Sequence, residues 1–246
     1  MTTNSSEPEA AGRFNETHWS MVLAAGQDDS SGREAALQRL CQTYWYPLYA
    51  FVRRQGHPQH DAEDLTQAFF ARLLAKGDLA GVDREKGKFR SFLLASMKHF
   101  LANEWDKVQA QKRGGGRQII SIDFEDAETK YSVEPTHDLT PEKLYERRWA
   151  MTVLGQAVSK LRKEMRSAGK GDQFESLKLF MTGGKGVVSY AQVAANLDVS
   201  EGAVKVAVHR LRKRYRQLLV AEVAHTVDEK QFAEQELRGL LTALTG

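Results

Sequence analysis

Proline stands at only five of the 246 positions, Pro8, Pro47, Pro58, Pro135 and Pro141, which leaves residues 59–134 and 142–246 without any. A proline removes a backbone donor and its ring clashes with the preceding helical turn, so proline-free runs of this length permit long helices. Apolar periodicity then asks for them. Leu37, Leu40, Cys41, Tyr44, Leu48 and Phe51 recur at helical spacing, and so do Ala62, Leu65, Phe69 and Leu73. Phe89, Leu93, Met97, Phe100 and Val108 mark a third stripe, and Leu144, Trp149, Val153, Leu154 and Leu161 a fourth. The expected fold is all-α. Pro47 lies inside the first stripe and is expected to kink or split that helix.

The chain's punctuation divides these helices into two small helical domains. Residues 1–15 are expected to be disordered, and 16–113 to form the first domain. At Lys112-Arg113-Gly114-Gly115-Gly116 the character changes: residues 123–142 hold seven acids against Lys130 alone. Residues 114–140 therefore read as an acidic linker, with Ile119, Ile120, Ile122 and Phe124 as a short extended piece. Helical periodicity resumes at Pro141, well placed in a first turn behind a Thr140 cap, and breaks at Gly169-Lys170-Gly171. A short helix over about 172–182 and a second glycine break follow. Residues 141–225 form the second domain and 226–246 a C-terminal helical extension. Thr226-Val227-Asp228-Glu229 resembles a capping box ahead of a stripe of Ala233, Leu237, Leu240, Leu241 and Leu244. That stripe is expected to pack as core, with covering of the second domain or binding of a regulator as the alternatives.

The most specific local pattern lies at 189–216. Ser189-Tyr190-Ala191-Gln192 has a capping-box arrangement, in which a hydroxyl and an amide reciprocally satisfy free backbone groups at a helix start. A short helix holds Val193, Ala194 and Leu197, Asp198-Val199 makes a tight turn with Val199 plugging it, and Ser200 caps a second helix. On that helix Val204, Val208, Leu211 and Tyr215 share one face, while Lys205, His209, Arg212 and Arg216 line the adjoining one and Arg210 and Arg214 the opposite flank. Residues 203–221 contain six Lys or Arg and no acid. This is a helix-turn-helix whose second helix suits a DNA major groove. The formal net charge of +3 is thus a near-cancellation of a basic reading helix and an acidic tether.

The first domain holds two further polar segments. His57 to Leu74 begins with Asp61, Glu63 and Asp64, which complement the positive end of a helix dipole. Asp64 and Gln67 also share an exposed face near Asp61, a surface suited to docking a protein. His57-x-x-His60 with Asp61 has ligating side chains but no third histidine nearby, so no metal is expected. Phe89 to Lys107, followed by Gln111-Lys112-Arg113, interleaves aromatic rings with cations, a composition that suits unpaired nucleic acid. Most of its aromatics are expected in the core, leaving Lys98, Asn103, Lys107, Lys112 and Arg113 as the polar candidates.

Taken together in this order, these blocks resemble a bacterial RNA polymerase sigma factor of the extracytoplasmic-function (ECF) type. Asp61-Ala62-Glu63-Asp64-Leu65-Thr66-Gln67 with Phe70 and Arg72-Leu73 looks like that family's core-polymerase-binding helix. Phe89-Arg90-Ser91-Phe92-Leu93 through Arg113 looks like its promoter-melting, minus-ten-reading segment, and Ser189 through Leu219 like its minus-thirty-five-reading domain. The resemblance implies that Asp61, Asp64, Leu65, Gln67, Phe70 and Arg72 dock on core RNA polymerase. It implies that Lys88, Arg90, Lys98, Asn103, Lys107, Lys112 and Arg113 meet minus-ten promoter DNA. It implies that Ser200, Glu201, Lys205, His209, Arg210, Arg212, Lys213 and Arg216 meet the minus-thirty-five element. An anti-sigma factor or other regulator is a further partner of the kind the family uses. The sequence departs from the family pattern at Asp198, where a turn glycine is usual, and at Val206 and Ala207, where polar or basic residues are common.

Other classes fit less of the chain. Thr182-Gly183-Gly184-Lys185-Gly186 lacks the spacing and the hydroxyl after lysine that a phosphate-binding loop uses. Cys41, the single cysteine, lies on an apolar stripe and reads as core rather than nucleophile. No enzyme activity, cofactor, metal or small-molecule substrate is expected. No apolar run approaches the roughly 18 residues of a membrane span, and the first residues do not look like a secretion signal, so a cytoplasmic location is expected. The remaining alternatives are a stand-alone helix-turn-helix regulator of duplex operators and a sigma-like adaptor that binds polymerase without melting promoters.

Overall fold

The computed structural model describes residues 30–75, 88–110, 125–132, 139–181, 189–227 and 232–245. Among these residues there are nine α-helices, one 3-10 turn and no strand. The helices are α1 (Ser30–Arg54), α2 (Gln59–Ala75), α3 (Phe89–Ala110), α4 (Glu125–Ser132), α5 (Pro141–Ser167), α6 (Gly171–Leu177), α7 (Tyr190–Asn196), α8 (Glu201–Ala224) and α9 (Ala233–Thr245), with the 3-10 turn at Lys178–Phe180.

Of the expected kink or split at Pro47, the split does not occur: α1 runs continuously through it. A proline in a helix interior costs about 3 kcal/mol, but Tyr44, Trp45, Leu48, Tyr49, Ala50 and Phe51 on both sides of it are buried. Burying a large side chain is worth about 1.5–3 kcal/mol each, so packing holds the helix across its proline. From α5 the Gln156 amide donates to Thr43 Oγ1 at 3.0 Å in the same turn.

α5 is the spine of the molecule. Thr140 caps it, its hydroxyl accepting from the Lys143 amide at 3.3 Å, and Pro141 occupies the first turn. A proline there loses only an amide that has no helical partner anyway. Leu144, Tyr145, Trp149, Val153, Ala157 and Leu161 bury one stripe against α1 on one side and α8 on the other. The helix ends at Gly169, whose φ of +69° is a left-handed conformation that a side chain resists.

One further element differs from the sequence expectations. Within the acidic stretch, Glu125–Ser132 is helical and docked: Ala127 is buried, and Glu128 is held by Arg53 and Tyr49 of α1. Ahead of α9 the Thr226 hydroxyl donates to the Val223 carbonyl at 2.7 Å, and Asp228 and Glu229 of the expected capping box lie outside the described residues. α9 itself packs on α5 and α8 with Leu240 fully buried. One core runs through all these contacts, from Leu40 to Leu240. Residues 1–29 and 111–124, with the extended piece expected at Ile119–Phe124, lie outside the described residues.

Candidate nucleic-acid interface

α7, the turn after it and α8 are built by local hydrogen bonds that the sequence spells out. Ser189 Oγ accepts from the Gln192 amide at 3.1 Å while Gln192 Oε1 accepts from the Ser189 amide at 2.9 Å. Asp198 takes φ +52°, the left-handed conformation that a turn glycine would fill freely. The Val199 amide donates to the Ala194 carbonyl at 3.0 Å. The Val199 side chain is 43% exposed, so it does not plug the turn; Val193 and Ala194 are the buried residues of α7. Ser200 Oγ accepts from the Ala203 amide at 3.2 Å and starts α8, whose Val204, Val208 and Leu211 face the core.

The opposite side of α8 is solvent-exposed and basic, but its cations are not equivalent. The Arg212 guanidinium turns inward and donates twice to the Phe180 carbonyl, at 3.0 and 2.5 Å, which pins the 3-10 turn to α8. Arg214 makes a two-pronged pair with Glu164 of α5 at 2.9 and 2.7 Å. Lys205 pairs with Glu201 one turn earlier at 2.8 Å and lies over the Tyr190 ring. That carboxylate raises the Lys205 pKa. Arg216 approaches Glu234 of α9 only at 3.9 Å, with both side chains largely exposed. His209, Arg210 and Lys213 are exposed and, among the described residues, have no carboxylate at ion-pair distance. Arg210 and Lys213 are thus the cations on α8 that, among the described residues, a phosphate or base edge meets without displacing an acid, with His209 beside them.

On α2, Asp61 and Asp64 are exposed, and Leu65, Gln67 and Arg72 are half-buried on the helix flank. Phe70 is in the core, edge-on to Phe69, and offers almost no surface to a partner. Thr66 is also buried, its hydroxyl returned to the Ala62 carbonyl at 2.7 Å.

α3 places its candidate residues in three different settings. Lys88 and Arg90, at its start, are held by carboxylates: Arg90 by Glu146 and Glu236 at 2.6 Å each, and Lys88 by Glu236 at 2.6 Å. The Arg90 guanidinium also lies 4.6 Å from the centre of the Trp149 ring and is 5% exposed. Lys98 pairs with Glu142 of α5 at 2.7 Å, which lowers the Glu142 pKa. Asn103 is exposed at the rim of a cavity of about 300 Å³ between α2 and α3, walled by Phe69, Leu73, Phe92 and Phe100, with Arg72 and His99 at its edge. Lys107 lies on α3 but its side chain is outside the described set, and Lys112 and Arg113 lie outside the described residues. Glu236, Glu146 and the Phe180 carbonyl, which hold these cations, come from distant segments that no local pattern links to them.

Among the described residues no group of three His, Cys, Asp or Glu is placed to hold a metal, and no helix is long and apolar enough to cross a membrane.

The profile of a family described as ECF sigma factor matches residues 20–220. A curated relative, the ECF RNA polymerase sigma factor SigE of Mycolicibacterium smegmatis, is 26% identical over 201 residues, covering 80% of this chain and 68% of the relative. No solved structure matches the chain.

Proposed function

The chain belongs to the ECF sigma factor family, which serves transcription initiation with RNA polymerase, and from that premise we propose how its surfaces divide the work. Residues 16–113 bind core RNA polymerase and minus-ten DNA, and residues 141–225 bind the minus-thirty-five element. The acidic linker 114–140 joins them, and 226–246 is an added extension. α2 presents Asp61 and Asp64, flanked by Gln67 and Arg72, to the polymerase. α8 presents His209, Arg210 and Lys213 to the upstream element, with the Ser200 cap fixing where the helix begins. Two to three phosphate contacts there give a salt dependence of log K of about −2 to −3. A bidentate base contact adds about 1–3 kcal/mol of discrimination.

Promoter melting belongs to α3. The aromatic-walled cavity beside Asn103 suits a base taken out of the stack. Leaving the stack costs a few kcal/mol, which stacking on rings and hydrogen bonding to the base edge offset, so binding and strand opening are coupled. An anti-sigma factor or comparable regulator is a partner consistent with the family. The work takes place in the cytoplasm, with no cofactor and no reaction at a catalytic residue.

The observation that most supports this reading is the family match across 20–220, within which Arg210 and Lys213 of α8 have no carboxylate at ion-pair distance among the described residues. Its test is reconstitution with core polymerase on a random promoter library, followed by sequencing of the transcripts. New start sites sharing two elements are expected. Absence of core binding or of new start sites overturns the reading, and duplex binding without core binding identifies a stand-alone regulator.

A further inference from the structure

α9 reaches across the fold to the cations that open α3. Glu236, with no exposed surface, accepts from Arg90 Nε at 2.6 Å and pairs with Lys88 Nζ at 2.6 Å. Its neighbours on the same face of α9 are Ala233, Leu237 and Leu240, all packed in or against the core. A carboxylate among such residues is costly unless paired, and an apolar residue of similar volume would hold the helix at least as well. Packing alone therefore does not account for Glu236.

Three features make the place a built site. Gly239 lies one turn beyond Glu236, and a Cβ added there would stand 3.3 Å from both Arg90 Nη2 and Lys88 Nζ. Glycine is disfavoured in a helix interior, and here it leaves room for two cations to close over α9. The Thr226 carbonyl, ahead of α9, accepts from the Phe89 amide at 3.3 Å and so ties the same end of α3. Arg90 is also held by α5, through Glu146 at 2.6 Å and the Trp149 ring, so α9 is not its sole support. Two cations converging on one pair of anionic oxygens match a phosphate group as well as a carboxylate.

We propose that α9 is an intramolecular latch, in which Glu236 occupies the Lys88–Arg90 anion site and a DNA phosphate competes with it for the same two cations. The latch rests on the proposed role of α3 in binding minus-ten DNA. α9 lies beyond residue 220, where the family match ends, so the latch is a device added to the shared part of the chain. Binding to DNA is weakened by the fraction of molecules in which α9 is open. A partner that binds the open form better, such as the polymerase, releases the latch by that difference in affinity.

The test uses the full chain, a labelled single-stranded oligonucleotide and hydrogen exchange at the α9 amides. Glu236→Gln keeps the shape and removes the charge, while Gly239→Leu crowds the cations without changing charge. Both variants are expected to bind the oligonucleotide about tenfold more tightly, and the gain is expected to vanish when Lys88→Ala is added to Glu236→Gln. In the unmodified chain, saturating oligonucleotide is expected to speed α9 exchange, a readout that needs no variant to fold. The latch is overturned if the oligonucleotide binds and leaves α9 exchange unchanged, or if the gain survives without Lys88. If no form binds the oligonucleotide, even one whose α9 exchanges freely, the DNA-binding role of α3 fails and the latch fails with it.

Discussion

Arg53 on α1 and Glu128 on α4 form a two-pronged ion pair, with Nε and Nη2 reaching the two carboxylate oxygens at 3.1 and 2.7 Å. The pair draws one helix of the acidic stretch onto the first domain. The Tyr49 hydroxyl donates to the same carboxylate, and the Arg53 guanidinium lies 4.9 Å from the centre of the Tyr131 ring.

Hydrogen bonding from Arg53 holds the Glu128 carboxyl below its ordinary value of 4.5, against a smaller opposing effect of burial. A depressed folded-state value means that the pair's contribution is complete above about pH 4.5 and is lost as the pH falls through the folded-state value. Both side chains keep part of their surface, 20% and 26%, so Glu128→Gln is expected to cost only about 1 kcal/mol near neutrality. Urea melts from pH 7 to pH 3 should show the gap between parent and variant closing at the acid end; a constant gap contradicts the pair.

Asp198 holds φ +52° between α7 and α8. A left-handed conformation costs an ordinary residue about 1–2 kcal/mol, and aspartate tolerates it better than most. Asp198→Gly is expected to be neutral or to stabilise by a few tenths of a kcal/mol, and Asp198→Val to destabilise by about 1–2 kcal/mol. Thermal denaturation of the full chain measures both.

Arg210 and Arg212 are separated by one residue and have different duties. Arg210→Ala is expected to reduce the slope of log K against log salt by about one and leave the melting temperature unchanged. Arg212→Ala removes two hydrogen bonds to the Phe180 carbonyl and is expected to cost about 1–3 kcal/mol of stability. Equal effects of the two on stability would refute this division.

Asp64 is exposed on α2, an element of the proposed first domain, whereas the α8 cations belong to the second. Asp64→Arg is expected to weaken core-polymerase binding at least tenfold while duplex binding by the chain changes less than twofold. A pull-down with core enzyme and a duplex titration decide it, and parallel losses would count against separate surfaces.

Burial raises the Cys41 thiol pKa to about 12. A thiolate is the reactive form, so Cys41 is expected to resist iodoacetamide at pH 8 in the folded chain and react once urea unfolds it. Rapid labelling without denaturant would show an accessible thiol.

Helix positions were legible because their causes are local. Apolar spacing placed Tyr44, Leu48 and Phe51 on one face of α1 and Val204, Val208 and Leu211 on one face of α8, and all are buried. Thr140, Ser189 and Ser200 cap the helices that their hydroxyls announced. The family, too, was readable from motif order. Local pattern was least informative about α4, since a run of acids reads as a solvated tether until Arg53 and Tyr49 arrive from some 75 residues away to hold Glu128.

The helical fold, the capped pair α7 and α8, and the opposed basic and acidic segments follow from the sequence alone, because spacing, capping and charge act within a few residues. Which cations are paired among the described residues was decided only by the tertiary structure. Arg90 and Lys88 meet Glu236, Arg212 meets the Phe180 carbonyl and Arg214 meets Glu164, while Arg210 and Lys213, identical in kind, face solvent. A charge's partner is whatever folding brings within about 4 Å of it, and that distance is set by how helices far apart in the chain pack against one another.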